Sequence, residues 1–291
     1  MNKNLKGHLA ALLAVCIWST SGVSYTVVRN YLSPLEIILL GIGLSFTLLN
    51  FLHLPRMHQK KKINELWFIL AGVLGVSVYF YLEYSALVLT SRGSVSVIMM
   101  LVPVFSSILC MIFFKSGNNP ARFYTGFAFC AVGAFLITFF ENGGFYFDLT
   151  GALYALGAAI CLAAFFAVVK KCTTLVSSSI QLVRRVFFWG MIALAPLCLV
   201  LEFDPFSYTK PTSLPAILNL LLVCLVTPTV CYLGFAYSIR NIGVKASSSY
   251  IYVMPVASVI LSAILEYSGV SPYVLIGVVL SVVGITLSTK K

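Results

Sequence analysis

The chain reads as an all-α integral membrane protein of ten transmembrane helices, arranged as two inverted five-helix repeats. Three observations predict this. First, 60% of the 291 residues are apolar and only 9% are charged, against about 25% charged in ordinary soluble domains. Mean hydropathy is +1.01. So few charges cannot cover a soluble globule, which excludes a soluble enzyme, a nucleic-acid binder and a disordered chain. Second, the apolar residues fall into runs of the length that crosses about 30 Å of hydrocarbon. Third, the second half of the sequence repeats the first across an odd number of those runs.

The runs cover residues 8–28, 34–54, 66–89, 93–114, 123–140, 149–169, 179–201, 215–239, 246–265 and 272–288. They are apolar on every face, without the period-2 alternation of a barrel strand, so each is a helix. The connections between them are short and leave no room for a soluble domain. Lys3 and Lys6 followed by 9–17 resemble a signal peptide, and Leu13-Ala14-Val15-Cys16 resembles a lipoprotein site. Val15 is too bulky for that processing, and the apolar run continues to Val28, so this is the first span. Seven of the eight cysteines lie inside apolar runs and read as small packing residues.

Charge sets the orientation. With both termini placed in the cytoplasm, 14 of the 19 Lys and Arg residues fall on cytoplasmic segments and 3 (Arg29, Arg92, Lys210) on outer ones. Arg184 and Arg185 lie inside the seventh span. In loops this short, the split is a strong positive-inside signal. The net charge of +11 is therefore topology and not a nucleic-acid footprint.

Residues 103–120 align with 255–272 with nine of eighteen positions identical, beginning at Pro103/Pro255 and ending at Pro120/Pro272. An alphabet this apolar gives about two by chance. Gly126 and Gly133 then match Gly277 and Gly284, each pair two helical turns apart, which makes a groove for a close neighbour. Upstream, Tyr81-Leu82 matches Tyr232-Leu233. The units are 1–141 and 149–291, and five spans per unit force the second to start from the opposite side. Inverted repeats supply outward-open and inward-open states of one fold. Pro103 and Pro255 each remove a helix donor and free a carbonyl one turn back, which makes a paired hinge or a static kink.

These features resemble the EamA family of the drug/metabolite transporter superfamily. The residues that carry the resemblance are Trp18 in Ile17-Trp18-Ser19, Tyr84-Ser85-Ala86-Leu87 and Tyr237-Ser238, with the two prolines and the two glycine pairs. Two features depart from the family pattern. Of the Gly-Glu pair after each fourth helix, only Leu265-Glu266 approaches it, and 37–43 of the second helix holds no arginine. The resemblance implies a central cavity lined by the first four helices of each half, with the fifth and tenth helices outside it. It leaves the substrate open.

Polar and aromatic residues near the span centres are the candidate lining. The substrate-binding candidates are Trp18, Ser21, Tyr79, Glu83, Ser96, Met100, Arg184, Arg185, Tyr232 and Tyr250. The plain alternative for a Ser or Thr is a bond to its own helix, and for a Tyr the interfacial belt. Adjacent arginines point about 100° apart on a helix, so at least one of Arg184 and Arg185 faces the cavity or a helix partner, where it could hold a carboxylate. Glu83 lies toward the outer end of its span and is a candidate outer gate or proton site. Glu36 reads as an interfacial residue.

No catalytic or phosphate-binding motif is present, and no cofactor or metal is expected. The expected function is a secondary transporter that exports small neutral, zwitterionic or amphipathic metabolites such as amino acids or drugs by alternating access. A channel and an intramembrane enzyme are the alternatives. The expected partners are the substrate, the lipid bilayer and a coupling ion, with the proton as candidate, and the chain is a monomer or a homodimer. The expected site is a bacterial inner (plasma) membrane.

Overall fold

The computed structural model describes residues 2–52, 64–90, 92–114, 120–141, 148–200, 213–254, 256–257 and 272–289. Every element among the described residues is helical. In chain order they are α1 (Lys3–Val28), α2 (Pro34–Leu52), α3 (Leu66–Leu89), α4 (Ser94–Phe114), α5 (Pro120–Glu141), α6 (Leu149–Leu175), α7 (Ser179–Val200), α8 (Leu214–Val253) and α9 (Pro272–Thr289). Six of these, α1 to α4, α6 and α8, are long and apolar enough to cross a bilayer. The six coincide with predicted spans one to four, six and eight, and α5, α7 and α9 with spans five, seven and ten. The ninth, 246–265, is described over 246–254 and 256–257, where it follows the kink at Gly243.

Polar residues start the helices where sequence chemistry allows. Ser33 and Glu36 form a reciprocal capping box on α2: the Ser33 N–H donates to Glu36 Oε2 at 2.5 Å, and the Glu36 N–H to Ser33 Oγ at 3.4 Å. Glu36 is thus buried at the cap that begins α2. Asp148 Oδ1 accepts from the Gly151 N–H at 2.7 Å and caps α6.

Three helices are irregular, each for a local reason. In α4 the chain tightens at Met100 and Leu101, whose N–H groups donate three residues back to Val97 and Ile98. Pro103 follows at once, and its ring clashes with a regular preceding turn. In α8 the matching position is a 3-10 turn, Tyr250–Val253; Pro255 itself lies outside the described residues. α3 and α8 each widen into a π-helical stretch, Val73–Val78 and Leu222–Cys231, the second around Pro228. Between predicted spans eight and nine the chain breaks at a sharp kink, where two helices meet inside the range given for α8. It falls at Gly243, whose φ of 84° suits a residue without a Cβ.

The order of contacts gives the helix directions. α1 runs antiparallel to α8, with Gly7 against Ile242, Ala10 against Gly234 and Ala14 against Cys231. α6 runs antiparallel to α3, with Gly151 against Thr90, Gly157 against Leu82 and Phe165 against Gly75. Two pairs run parallel. Ile37, Gly41 and Ser45 of α2 meet Cys224, Pro228 and Thr229 of α8. Glu65, Gly72 and Ser77 of α3 meet Arg185 and Gly190 of α7.

α5 and α9 stand apart. A Cβ on Gly133 would lie 2.5 Å from the Gly277 carbonyl oxygen, and one on Gly277 equally close to that of Gly133. Gly284 meets Gly126 in the same way at 2.5 Å. The pairing 133 with 277 and 126 with 284 makes the helices antiparallel, with backbone touching backbone. Their clustered buried residues pack with one another and with Met100, Tyr252 and Val256, and none joins the main core. Large apolar side chains elsewhere face outward, such as Phe51 at 81% exposure and Leu199 at 83%, as lipid-facing residues do.

Candidate functional site

The main core is an aromatic cluster at the meeting of α1, α3, α6, α7 and α8. Trp18 packs edge-on to Tyr79 at 6.0 Å and to Phe235 at 5.6 Å. Tyr232 lies 5.2 Å from Phe187, 5.3 Å from Phe165 and 5.9 Å from Phe80. Tyr25 stacks on Tyr84 at 4.4 Å, and its hydroxyl donates to the Tyr84 carbonyl at 3.2 Å. Beside them lies a cleft of ≈ 200 Å³ lined by Ile37, Ile38, Gly41, Ile42, Phe80, Tyr84, Val223 and Pro228.

The two π-helical stretches tie this cluster across the halves. Ser77 Oγ donates to the Gly190 carbonyl of α7 at 2.8 Å, and Thr229 Oγ1 donates to Ser45 Oγ of α2 at 2.9 Å. The Tyr232 hydroxyl donates to the carbonyl of Gly75 inside the other π stretch. A π turn leaves its carbonyls poorly paired, and hydroxyls from neighbouring helices take them up.

Glu83 lies inside this assembly at 9% exposure. Its carboxyl is an electrostatic neighbour of the hydroxyls of Tyr25, Tyr79, Tyr84 and Tyr232. The Tyr79 side chain is fully buried, and its hydroxyl has no partner of hydrogen-bond geometry. Arg29, one turn beyond Tyr25, donates to the Leu87 carbonyl at 3.0 Å. No described Lys, Arg or His forms an ion pair with Glu83.

The structure thus brings Trp18, Tyr79, Glu83 and Tyr232 together and sends the other candidates elsewhere. The Ser21 hydroxyl donates to the Trp18 carbonyl at 2.7 Å, its own helix, as do those of Ser19 and Thr20 to Cys16 and Ile17. Ser96 is exposed. Met100 packs with Cys130, Ala134 and Tyr252 under α5, because the turn at 100–101 rotates it off the central face. Tyr250, expected at midplane, sits at the end of the bundle where α1 begins, 2.9 Å from His8 Nδ1, because the Gly243 bend shifts the register of the following turn. Arg185 pairs with Glu65, which also accepts from Trp189 Nε1 at 3.2 Å, and stands 5.3 Å over the Phe68 ring. Arg184 is half-buried beside it.

Sequence reading missed Glu65, Tyr25, Phe80, Phe165, Phe187 and Phe235. Glu65 did carry a signal, being an acid at the basic end of its span, opposite an arginine pair. The phenylalanines carried none, since an apolar ring in an apolar run has no distinguishing neighbours.

Comparison with known proteins follows the same outline. The EamA-like transporter family matches residues 5–139 and again 149–290. The uncharacterized transporter YvbV of Bacillus subtilis (strain 168) is 22% identical over 290 residues, covering 98% of this chain and 93% of its own length. A solved crystal structure superposes with a TM-score of 0.74 at 19% identity, covering 97% of this chain and 98% of that one. At that identity the superposition bears on fold alone.

Proposed function

Because the chain belongs to the EamA-like transporter family and is a multi-pass membrane transporter, we propose that it is a secondary carrier working by alternating access. Its cargo is a small neutral, zwitterionic or amphipathic metabolite, such as an amino acid or a drug, and its direction is export. The observation that carries this is the aromatic junction itself. Five helices from both halves meet there through side chains, and side-chain contacts can part and re-form as a path opens. The structure is then an occluded state, with the cleft beside Phe80 and Tyr84 as the remnant of the cavity.

The domain reading is two units, 1–141 and 149–291, related by a twofold axis in the membrane plane. Reciprocal contacts support it: Gly126 meets the repeat partner of Gly133, and Gly133 meets that of Gly126, as an isologous joint requires. The α2–α8 and α3–α7 crossings exchange under the same operation, as do the two π stretches. With ten spans both termini are cytoplasmic, in a bacterial inner membrane. The drive is the substrate gradient or a coupled proton.

The test is counterflow in proteoliposomes loaded with candidate amino acids and aromatic metabolites. A carrier gives saturable, trans-stimulated flux. Linear flux at high concentration means a channel, and chemical conversion of the probe means an enzyme. A protonophore that abolishes uphill flux identifies the coupling ion.

A further inference from the structure

The geometry points to the Glu83 cage as the subsite for a positively charged ammonium group, which narrows the cargo to small aromatic or amphipathic amines. This rests on the transporter reading and names the chemistry of its site. Three observations converge on it. A carboxyl is buried in the central cluster with no basic residue in ion-pair contact among the described residues, and Arg29 is engaged with the Leu87 carbonyl. Charge within a membrane protein is held where it has a partner or faces a cavity, so the missing partner is a cation brought from outside. The hydroxyls of Tyr79, Tyr84 and Tyr232 are electrostatic neighbours of that carboxyl, and their rings belong to the same cluster as Trp18, which lies 6.0 Å from Tyr79. Aromatic faces attract cations and exclude anions, most strongly when desolvated.

The second polar contact is also in place. The Tyr79 hydroxyl is buried, unpartnered and one turn before Glu83 on the same helix face, so it can accept from an ammonium N–H. The apolar remainder of the ligand has an adjacent home. Phe80 and Tyr84, the residues flanking Glu83 on its helix, form one wall of the ≈ 200 Å³ cleft, whose other walls are isoleucines of α2 and Pro228 of α8. Arg185, which could take a free carboxylate on the ligand, is held by Glu65 at the other end of α3.

The test uses the full chain in lipid nanodiscs with three probes of one shape: 2-phenylethylamine, 2-phenylethanol and 3-phenylpropionate. Binding is read by calorimetry and by a fluorescence change that Trp18→Phe removes. The amine is expected to bind about 10-fold or more tighter than the alcohol, and the anion weakest. Glu83→Gln is expected to bring the amine down to the level of the alcohol while leaving the alcohol unchanged, and Glu83→Asp to keep part of the preference. Equal binding of amine and alcohol to the wild type overturns the inference whether or not the variants fold, as does an undiminished preference in Glu83→Gln. The two readings fail separately. Saturable counterflow of a neutral or anionic probe without amine preference removes the ammonium subsite and leaves the carrier. Glu83-dependent amine binding without any counterflow removes the carrier and leaves the subsite.

Discussion

The joint between α5 and α9 and the joint among α1, α3, α6, α7 and α8 both connect the two halves, yet they are made of opposite materials. At the first, glycine meets glycine and the backbones touch, with Gly133 and Gly277 each 2.5 Å from where the other's Cβ would point. At the second, rings meet rings at 5–6 Å, and polar atoms such as the Tyr79 hydroxyl are left unpartnered. Backbone contact allows few alternative packings, because nothing at the interface can rotate. Ring contact allows many, because each ring has its own torsions. The chain thus holds a fixed seam at its edge and an adjustable one at its centre, and only the second has the chemistry to meet a ligand.

The largest expected effect breaks the fixed seam. Gly133→Val puts two methyl groups into the Gly277 backbone, which cannot give way, and should cost about 3 kcal/mol. Detergent-solubilised protein should then melt far below wild type or fail to elute as one species. Gly43→Ala is the control, since nothing lies within 4 Å of its Cβ; it should change stability by less than about 0.5 kcal/mol. If both glycines prove equally tolerant, the fixed seam is not fixed.

Next in size is Glu83→Gln at the adjustable seam. Amine counterflow should fall about 10-fold while the melting temperature stays within a few degrees, because the amide fits the same space. A loss of folding equal to that of Gly133→Val would make the two seams alike and undo the contrast. Tyr232→Phe follows. It removes the hydroxyl that satisfies the Gly75 carbonyl in the π stretch of α3, a loss of about 1 kcal/mol. Its signature is faster hydrogen exchange at the residues of that stretch and not at α5.

Smaller still is Arg185→Ala. Its pair with Glu65 is partly exposed, with side-chain exposures of 26% and 42%, so stability should drop by about 1 kcal/mol at most. Affinity for the amine probe should not change. A large loss of affinity would move the binding site to that end of α3. Ser21→Ala should do least, within about 0.5 kcal/mol, since its hydroxyl only returns to its own helix at the Trp18 carbonyl.

Length and apolarity were enough to read the described helices and their order from the sequence, because a bilayer permits few alternatives. The glycine pairs were legible for the same reason: small residues two turns apart have one use in an apolar helix, and Gly126, Gly133, Gly277 and Gly284 meet as their spacing suggests. Among the site candidates, Trp18, Tyr79, Glu83 and Tyr232 were legible as polar or aromatic groups far from any interface, and they converge. Ser96, Met100 and Tyr250 looked equivalent on the same criterion and do not, because a turn before Pro103 and a bend at Gly243 rotate the helix faces by amounts no periodicity records.

What the sequence determined by itself was therefore local: which segments are helical, where they are capped, and which residues are too small to keep a neighbour away. The tertiary structure alone decided partners. It gave Arg185 to Glu65 and left Glu83 without a base among the described residues, and it put Phe165 and Phe187 against Tyr232 of another helix. The physical reason is range. Helix formation and capping are settled within a few residues, whereas the pairing of a buried charge or ring depends on which faces of distant helices are turned together, and local irregularities set those faces.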